Sequence, residues 1–142
     1  MFSKSTEYAL RACIYIMRHS DDEGRLSIDE IAAGIGAPAA FTAKILQKLS
    51  GEDAIISSVR GPGGGFYFTS RAAKLPVIKI LEAMGEEEVL DRCVLGLEKC
   101  SGSKPCPMHE EYKEVRAQIQ AMFKKKRIGE LAKGSLKIVQ AG

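Results

Sequence analysis

Three cysteines and one histidine stand close together in a segment that contains several glycines and prolines: Cys93, Cys100, Cys106 and His109. Six residues separate the first two cysteines, five separate Cys100 from Cys106, and two lie between Cys106 and His109. Thiolate and imidazole groups bind zinc and iron–sulfur clusters, and four of them fill a coordination sphere. The spacing alone leaves open a zinc site, an iron–sulfur cluster, a redox switch of thiols without metal, or a loop of thiols with no ligand.

The composition indicates in which compartment the protein works and excludes some classes of protein. The chain has 142 residues, four cysteines and a formal net charge of +3, which permits nucleic-acid binding without indicating it. No apolar run is long enough to span a bilayer, and the N-terminus lacks the pattern of a secretory signal, so we expect a cytoplasmic chain without membrane contact. Because cytosolic thiols are kept reduced, the cysteines favour metal or redox chemistry over disulfide bonds.

An apolar stripe predicts the first helix over Lys4–His19. The residues that form this stripe are Leu10, Cys13, Ile14 and Met17. Cys13 is therefore assigned to the hydrophobic core, apart from the other three cysteines.

Two short helices after it are typical of a helix-turn-helix. A capping box at residues 27–30 begins a second helix that ends at Gly34, and Pro38 begins a third helix that ends at Gly51. The third helix is predicted to bury Ile45, Leu46 and Leu49 and to leave small or polar residues outside. Small outer residues let a helix come close to base edges in a major groove.

A hairpin with a glycine-rich tip is predicted next. Two β-like runs, 55–59 and 66–69, flank Arg-Gly-Pro-Gly-Gly-Gly at 60–65. After a helix-turn-helix such a hairpin is a wing, whose glycines approach phosphates and whose Arg60 can enter a minor groove. The predicted DNA contacts are Lys4, Pro38, Ala39, Ala40, Phe41, Lys44, Lys48, Arg60, Gly61 and Gly63.

The second half of the chain supplies a fourth helix over 76–84 and a long helix over 108–126. Apolar residues of the long helix are spaced three, four and three apart, which predicts a coiled-coil seam and a homodimer: Tyr112, Val115, Ile119 and Met122. The predicted fold is mainly α. It comprises a winged helix-turn-helix DNA-binding domain (1–84), a ligand-binding loop (85–107), and a dimerisation helix with a C-terminal segment (108–142).

Three parts of the sequence resemble the Rrf2 family of bacterial transcription regulators: residues 5–11 (Ser-Thr-Glu-Tyr-Ala-Leu-Arg), the wing 60–65, and the cysteine segment. The resemblance is closest to the IscR-like branch of iron–sulfur cluster regulators and looser to the NsrR-like nitric-oxide sensors. It covers nearly the whole chain, including 128–131 after the long helix. It implies a homodimer in which an iron–sulfur cluster beside the dimerisation helix sets the affinity for a double-stranded DNA operator.

The resemblance also implies a ligand set. In IscR-like members three cysteines and one histidine bind a 2Fe–2S cluster, and Cys93, Cys100, Cys106 and His109 match those positions. The first cysteine gap departs from the family, with six intervening residues in place of five. In NsrR-like members an acidic residue near the N-terminus can complete a 4Fe–4S site, and Glu7 stands at the corresponding position. A 4Fe–4S cluster and zinc are therefore the alternative cofactors.

The reading helix departs from the IscR-like pattern as well. Pro38, Ala40 and Ala43 stand where those proteins carry polar residues, so the resemblance implies a shared grip on DNA but not a shared operator.

The sequence also allows functions other than a cluster-dependent regulator. The first alternative is a regulator that is stabilised by zinc, or switched by its thiols, without a cluster. An enzyme would use Cys106 as nucleophile and His109 as base, but the sequence offers no oxyanion donor and no third orienting residue. We therefore expect a regulator and not an enzyme.

Overall fold

The computed structural model describes residues 1–21, 23–51, 54–98 and 101–133, and over these ranges it is mainly helical with one antiparallel hairpin. The helices and strands follow one another as α1 (Lys4–His19), α2 (Ile28–Ile35), α3 (Ala39–Leu49), β1 (Ser57–Val59), β2 (Gly65–Tyr67), α4 (Ser70–Ala73), α5 (Ile78–Ala83), a 3-10 helix (Glu87–Asp91), α6 (His109–Lys125) and α7 (Ile128–Leu131). This confirms the mainly α class and the hairpin. Within the described ranges, no helix combines the length and the apolar character needed to cross a membrane.

The core forms where α1, α2 and α3 pack together. Cys13 is completely buried in it, as predicted, and so are the predicted core residues of α3. The stripe on α1 is rotated from the prediction: its buried positions are Thr6, Ala9, Ala12, Cys13 and Ile16. Leu10 and Ile14 are half-buried because they face α6 and α7 instead of α2 and α3.

The turn between α2 and α3 differs in detail from the prediction. Helix α2 continues past Gly34 to Ile35, and Gly36 ends it with φ +70°, a left-handed conformation that glycine adopts without steric cost. Gly34 is needed inside the helix, because a Cβ there would lie 2.2 Å from the ring of Tyr15. Pro38 is the N-cap of α3, not a residue of its first turn, and α3 ends at Leu49.

The hairpin is shorter than predicted. Strands β1 and β2 pair in the register Ser57↔Tyr67 and Val59↔Gly65, and Leu26 adds a bridge to Phe66 on the other edge. Residues 55 and 56 lie outside β1 because both backbone amides donate to the carbonyl of Leu49 at the end of α3. Their isoleucine side chains fill the core, so the hairpin is anchored to the end of α3.

Helices α4 and α7 and the 3-10 helix were not predicted as helices. Helix α5 begins at Ile78, two residues later than predicted, because residues 75–77 pair with the start of α7. The bonds are Val77 N–H to Lys126 O at 2.9 Å and Ile128 N–H to Leu75 O at 2.8 Å. Helix α6 agrees with the predicted long helix to within one residue at each end, and it buries none of its residues within this chain.

Candidate metal centre and DNA interface

Two of the predicted ligands come together at the ends of one loop. Cys93 follows the 3-10 helix, Cys106 precedes α6, and their Sγ atoms are 3.4 Å apart. A disulfide bond would require about 2.05 Å, whereas two thiolates on one tetrahedral ion with bonds of about 2.3 Å would lie about 3.8 Å apart. The observed distance lies between these two values, and at 3.4 Å the Cys93 thiol donates a hydrogen bond to Cys106 Sγ.

His109 lines the same narrow cavity as the two thiols. It is the first residue of α6, and its backbone N–H donates to the carbonyl of Cys106 at 3.1 Å. The other residues that line the cavity are Val94, Tyr112 and Arg116. Cys100, the fourth predicted ligand, lies outside the described residues. Among those that are described, no three His, Cys, Asp or Glu side chains are close enough to hold a metal ion.

The surroundings of the thiols suit a negatively charged group. The backbone N–H of Leu95 donates to Cys93 Sγ at 3.4 Å. The cavity also has Arg116 on its wall and the N-terminal end of α6 beside Cys106, and both favour negative charge. Cys13 is different, because burial strongly raises the pKa of its thiol and keeps it neutral.

Glu7, the alternative ligand, lies elsewhere in this chain. It occupies the first turn of α1, where its Oε1 is 4.0 Å from Lys4 Nζ. Within the described part of a single chain it belongs to no group of three potential metal ligands.

Two polar residues of α6 hold the segment before Cys93, and the sequence analysis did not single them out. Arg116 Nη1 donates to the carbonyls of Asp91 and Arg92, both at 3.3 Å. Gln120 Nε2 donates to Leu90 O at 2.6 Å and to Asp91 Oδ1 at 2.9 Å. The only signal in the sequence is the i, i+4 spacing of two polar residues on one helix face, which is also common on solvated helices.

Glu86 connects the other end of this segment to α1. Its carboxylate accepts hydrogen bonds from the Ser3 backbone N–H at 3.2 Å, from the Ser3 hydroxyl and from the buried Thr6 hydroxyl. Ser3 is the N-cap of α1, so Glu86 lies at the positive end of the helix. No local motif in the sequence pairs Glu86 with Ser3 and Thr6, which lie 83 and 80 positions away.

The same contacts determine how Glu86 titrates. Desolvation raises the pKa of its carboxyl, but the hydrogen bonds from Ser3 and Thr6 and the charge of Arg92 outweigh it, and the pKa lies below its ordinary value of 4.5. A carboxylate whose pKa is lowered by folding stabilises the native state fully at pH values above the pKa that it has in the unfolded chain. That contribution is lost as the pH falls through the lower, folded value.

The predicted DNA contacts form two exposed groups. On α3 and its N-cap, Pro38, Ala39, Ala40, Lys44 and Lys48 are exposed. Phe41 is half-buried, with its ring centroid 5.6 Å from that of Tyr8 in an edge-on arrangement, so its ring packs within the protein. Lys4 lies on the same side as this pair, with its Nζ 5.5 Å from the Tyr8 ring centroid.

The second exposed group is the tip of the wing. Arg60, Gly61, Pro62 and Gly63 are all exposed, and both glycines have positive φ, +90° and +75°. The tip is closed by a hydrogen bond from Gly64 N–H to Gly61 O at 2.9 Å. An arginine that the sequence analysis did not single out, Arg25, donates from Nη1 to Gly63 O at 3.4 Å.

Comparison with known proteins identifies the family. The model of the Rrf2 family, described as an iron-dependent transcriptional regulator, matches residues 2–134. The chain belongs to the Rrf2 family. A predicted HTH-type transcriptional regulator of Aquifex aeolicus is 33% identical over 126 residues, which cover 87% of this chain and 85% of the relative.

Two further similarities concern the sequence and the fold. The transcriptional regulator IscR of Xenorhabdus nematophila is 28% identical over 126 residues, covering 89% of this chain and 75% of IscR. The structure of CymR (YrzC), the global cysteine regulator of B. subtilis, superposes with a TM-score of 0.72 at 19% identity, covering 93% of this chain and 95% of CymR. The predicted family and winged-helix fold are confirmed, and this Rrf2 protein is a transcription regulator and not an enzyme.

Proposed function

We propose that this Rrf2 regulator binds a double-stranded DNA operator with an affinity set by an iron–sulfur cluster, and that it thereby senses cluster status, redox conditions or nitric oxide. Cys93, Cys100, Cys106 and His109 would hold the cluster, most simply as 2Fe–2S. The observation that carries the proposal is the pair of thiols 3.4 Å apart in a cavity shared with His109. A 4Fe–4S cluster, with Glu7 as an additional ligand, is the alternative composition.

The chain's own residues have separate roles in such a site. The cluster would supply a redox-active centre whose potential depends on its ligands, and a histidine ligand raises that potential relative to cysteine alone. The Leu95 N–H would stabilise charge on the Cys93 sulfur. Arg116 would fix the backbone that precedes Cys93 and place positive charge beside the site.

The DNA side of the proposal uses the two exposed groups. The outer face of α3 would enter the major groove, Arg60 at the wing tip would enter the minor groove, and Lys4, Lys44 and Lys48 would contact phosphates. The protein would act as a homodimer in the cytoplasm. The exposed apolar residues of α6 support the dimer, since Val115 and Met122 are 48% and 52% exposed in the single chain.

A continuous set of contacts supports coupling between the two sites. Arg116 and Gln120 tie α6 to the carbonyls of the 3-10 helix directly before Cys93. Directly before that helix, Glu86 ties the segment to the N-cap of α1. A change in the position of Cys93 when the cluster is gained or lost would therefore bias the position of α1 and of Lys4 on it.

Replacement of Glu86 by glutamine tests this coupling. Three donors converge on the carboxylate, and a glutamine replaces one acceptor oxygen by a donor NH2 group, so the contact from the Ser3 backbone N–H to Oε2 is lost. We expect the visible absorption of the loaded protein to be unchanged. In the wild type the cluster-loaded and cluster-free forms should differ in operator affinity, and in Glu86→Gln this difference should be about fivefold smaller. A factor of about five is the lower end of typical allosteric coupling.

The matched control for this variant is Glu88→Gln, which removes the same charge from an exposed residue of the 3-10 helix. It should keep the wild-type ratio. An unchanged ratio in Glu86→Gln would refute the coupling route while leaving the cluster and the DNA contacts untouched.

The function as a whole is tested on protein isolated or reconstituted without oxygen, with iron and sulfide. We expect visible absorption, iron and acid-labile sulfide in the protein, and a change in affinity for a duplex selected from a random pool when the cluster is removed. A colourless protein under these conditions, or equal affinity with and without the cluster, would contradict the proposal.

A regulator without a cluster is the second candidate, and the distance between the thiols supports it too. Zinc accepts the same ligands, and a shift of between one and two ångströms would bring the sulfurs of Cys93 and Cys106 from 3.4 Å to bonding distance. Stoichiometric zinc without acid-labile sulfide would favour the zinc form. An intramolecular disulfide that changes DNA affinity in metal-free protein would favour the thiol switch.

A further inference from the structure

Arg25 contacts the wing at two places from outside the hairpin. It directly precedes Leu26, whose backbone pairs with Phe66 through hydrogen bonds of 2.9 and 2.7 Å. Its guanidinium carbon lies 5.6 Å from the ring centroid of Tyr67 on β2, and its Nη1 donates to Gly63 O at 3.4 Å. One side chain therefore joins a strand of the hairpin to the tip.

The backbone of residues 25 and 26 lies very close to β2. A Cβ at Gly65 would be 2.6 Å from the carbonyl oxygen of Leu26 and 3.2 Å from the Cβ of Arg25. Only glycine at position 65 permits this close approach. The approach places the Arg25 side chain alongside the wing. The tip that it reaches contains three of the glycines of the wing, which have no side chains to hold them in place.

The guanidinium is held there at a cost. Arg25 Nε is buried and has no hydrogen-bond partner among the described residues. An unsatisfied buried donor is unfavourable, so the contacts with Tyr67 and Gly63 must offset it. A lysine would avoid the buried N–H, but it has no planar group to stack on the ring while donating to the tip.

We propose that Arg25 is a positioning residue for DNA binding: it fixes the wing tip in the conformation that presents Arg60 to the minor groove. This rests on the proposed contact of the wing with DNA. Holding a glycine-rich tip in its bound conformation before binding lowers the entropy lost on binding. Arg25 acts through the wing and not through a phosphate contact of its own.

The DNA test uses Arg25→Met, Arg25→Lys and Tyr67→Leu with a duplex that the wild-type protein selects from a random-sequence pool. Each variant should bind about fivefold more weakly, in line with one lost cation–π contact. The slope of log affinity against log salt should match the wild type, because no phosphate contact is lost. A slope reduced by about one in Arg25→Met and restored in Arg25→Lys would overturn the proposal and make Arg25 a direct phosphate contact.

Hydrogen exchange provides a readout that does not depend on DNA. The Gly64 amide, which closes the tip on Gly61, should exchange about fivefold faster in Arg25→Met and in Tyr67→Leu, whereas the core amides of α1 should not change. Arg71→Met, which removes an exposed arginine from α4, is the matched control and should behave as wild type in both tests. Unchanged exchange at Gly64 would overturn the proposal. If the wild-type protein selected no duplex, the DNA function would fail, and the exchange rates would still decide whether Arg25 holds the tip.

Discussion

Protein with Cys106 replaced by alanine is expected to stay colourless after anaerobic reconstitution with iron and sulfide, under conditions in which the wild type acquires visible absorption. Cys106 supplies one of the two sulfurs that lie 3.4 Å apart, and Cys93, which supplies the other, is the one remaining cysteine of that cavity among the described residues. Loss of a cysteine ligand should reduce bound iron and acid-labile sulfide to roughly a tenth of the wild-type amounts or less. Iron and sulfide analysis alongside the absorption spectrum measures the effect.

Cys13→Ala is the matched control for this variant. The Cys13 thiol is completely buried between α1 and its neighbours, and burial raises its pKa, so it is unsuited to bind a metal. This control should retain the wild-type absorption. Cys106→Ala should in addition bind the selected duplex as the cluster-free wild type does. Full absorption in Cys106→Ala would remove Cys106 from the ligand set and with it the main support for the cluster.

The candidate ligands could be named from the sequence because residue type and spacing are local information. Cys93, Cys106 and His109 are of the types that bind metals, and the loop that carries them joins two helical elements. The sequence could not show that the two thiols would lie side by side. That depends on Arg116 and Gln120, which hold the chain before Cys93 against α6 through backbone carbonyls. Every residue has a backbone carbonyl, so a contact to one cannot be recognised from the residue type.

The contact between Glu86 and α1 was out of reach for the same reason. A run of three glutamates at 86–88 is typical of a solvated segment, and nothing in the run distinguishes the first from the others. Only the packed structure brings Glu86 to Ser3 and Thr6. Contacts between residues far apart in the chain are set by tertiary packing, which periodicity does not encode.

The errors in the fold have the same origin. The stripe on α1 was predicted as one apolar face, but two different layers pack on the helix, and the residues buried deepest belong to the face toward α2 and α3. The strand predicted from residue 55 begins at Ser57, because the two isoleucines before it bond to the end of α3. In both places the apolar residues were recognised correctly, but the element against which they pack was not.

Helix α6 shows the reverse case, in which the sequence predicts a surface that the single chain leaves open. Its seam was predicted from spacing alone, and within this chain α6 buries no residue while Val115 and Met122 stay exposed. Polar residues on the same helix are engaged with the 3-10 helix instead. In a dimer formed through the seam, the helix that holds the ligand loop would also join the two subunits. A change at the ligand could then alter the relative placement of two DNA-binding heads.

Replacement of Gly64 by alanine is expected to weaken operator binding by about a hundredfold while leaving the helical core folded. A Cβ at position 64 would lie 2.2 Å from the carbonyl oxygen of Val59 and 2.8 Å from that of Gly61. Both are backbone atoms at the base and tip of the wing, so the hairpin must open to relieve the clash. Opening it displaces Arg60 and breaks the hydrogen bond that closes the tip. Titration of the selected duplex measures the loss, and circular dichroism with thermal unfolding reports on the core.

The effect should stay in the wing because its tip contributes little to the core. Residues 60–63 are exposed, whereas the core that α1, α2 and α3 form is closed by the isoleucines before β1. Gly24→Ala is the matched control, since a Cβ there meets only Asp21 Oδ1 at 3.4 Å, an ordinary contact, and it should bind as wild type. Near-wild-type affinity in Gly64→Ala would mean that the wing does not contact DNA. An equal loss in both variants would place the cause outside the wing. The expected result is a hundredfold loss confined to Gly64→Ala with an unchanged unfolding temperature. It would show that DNA recognition depends on the shape of the wing as well as on α3.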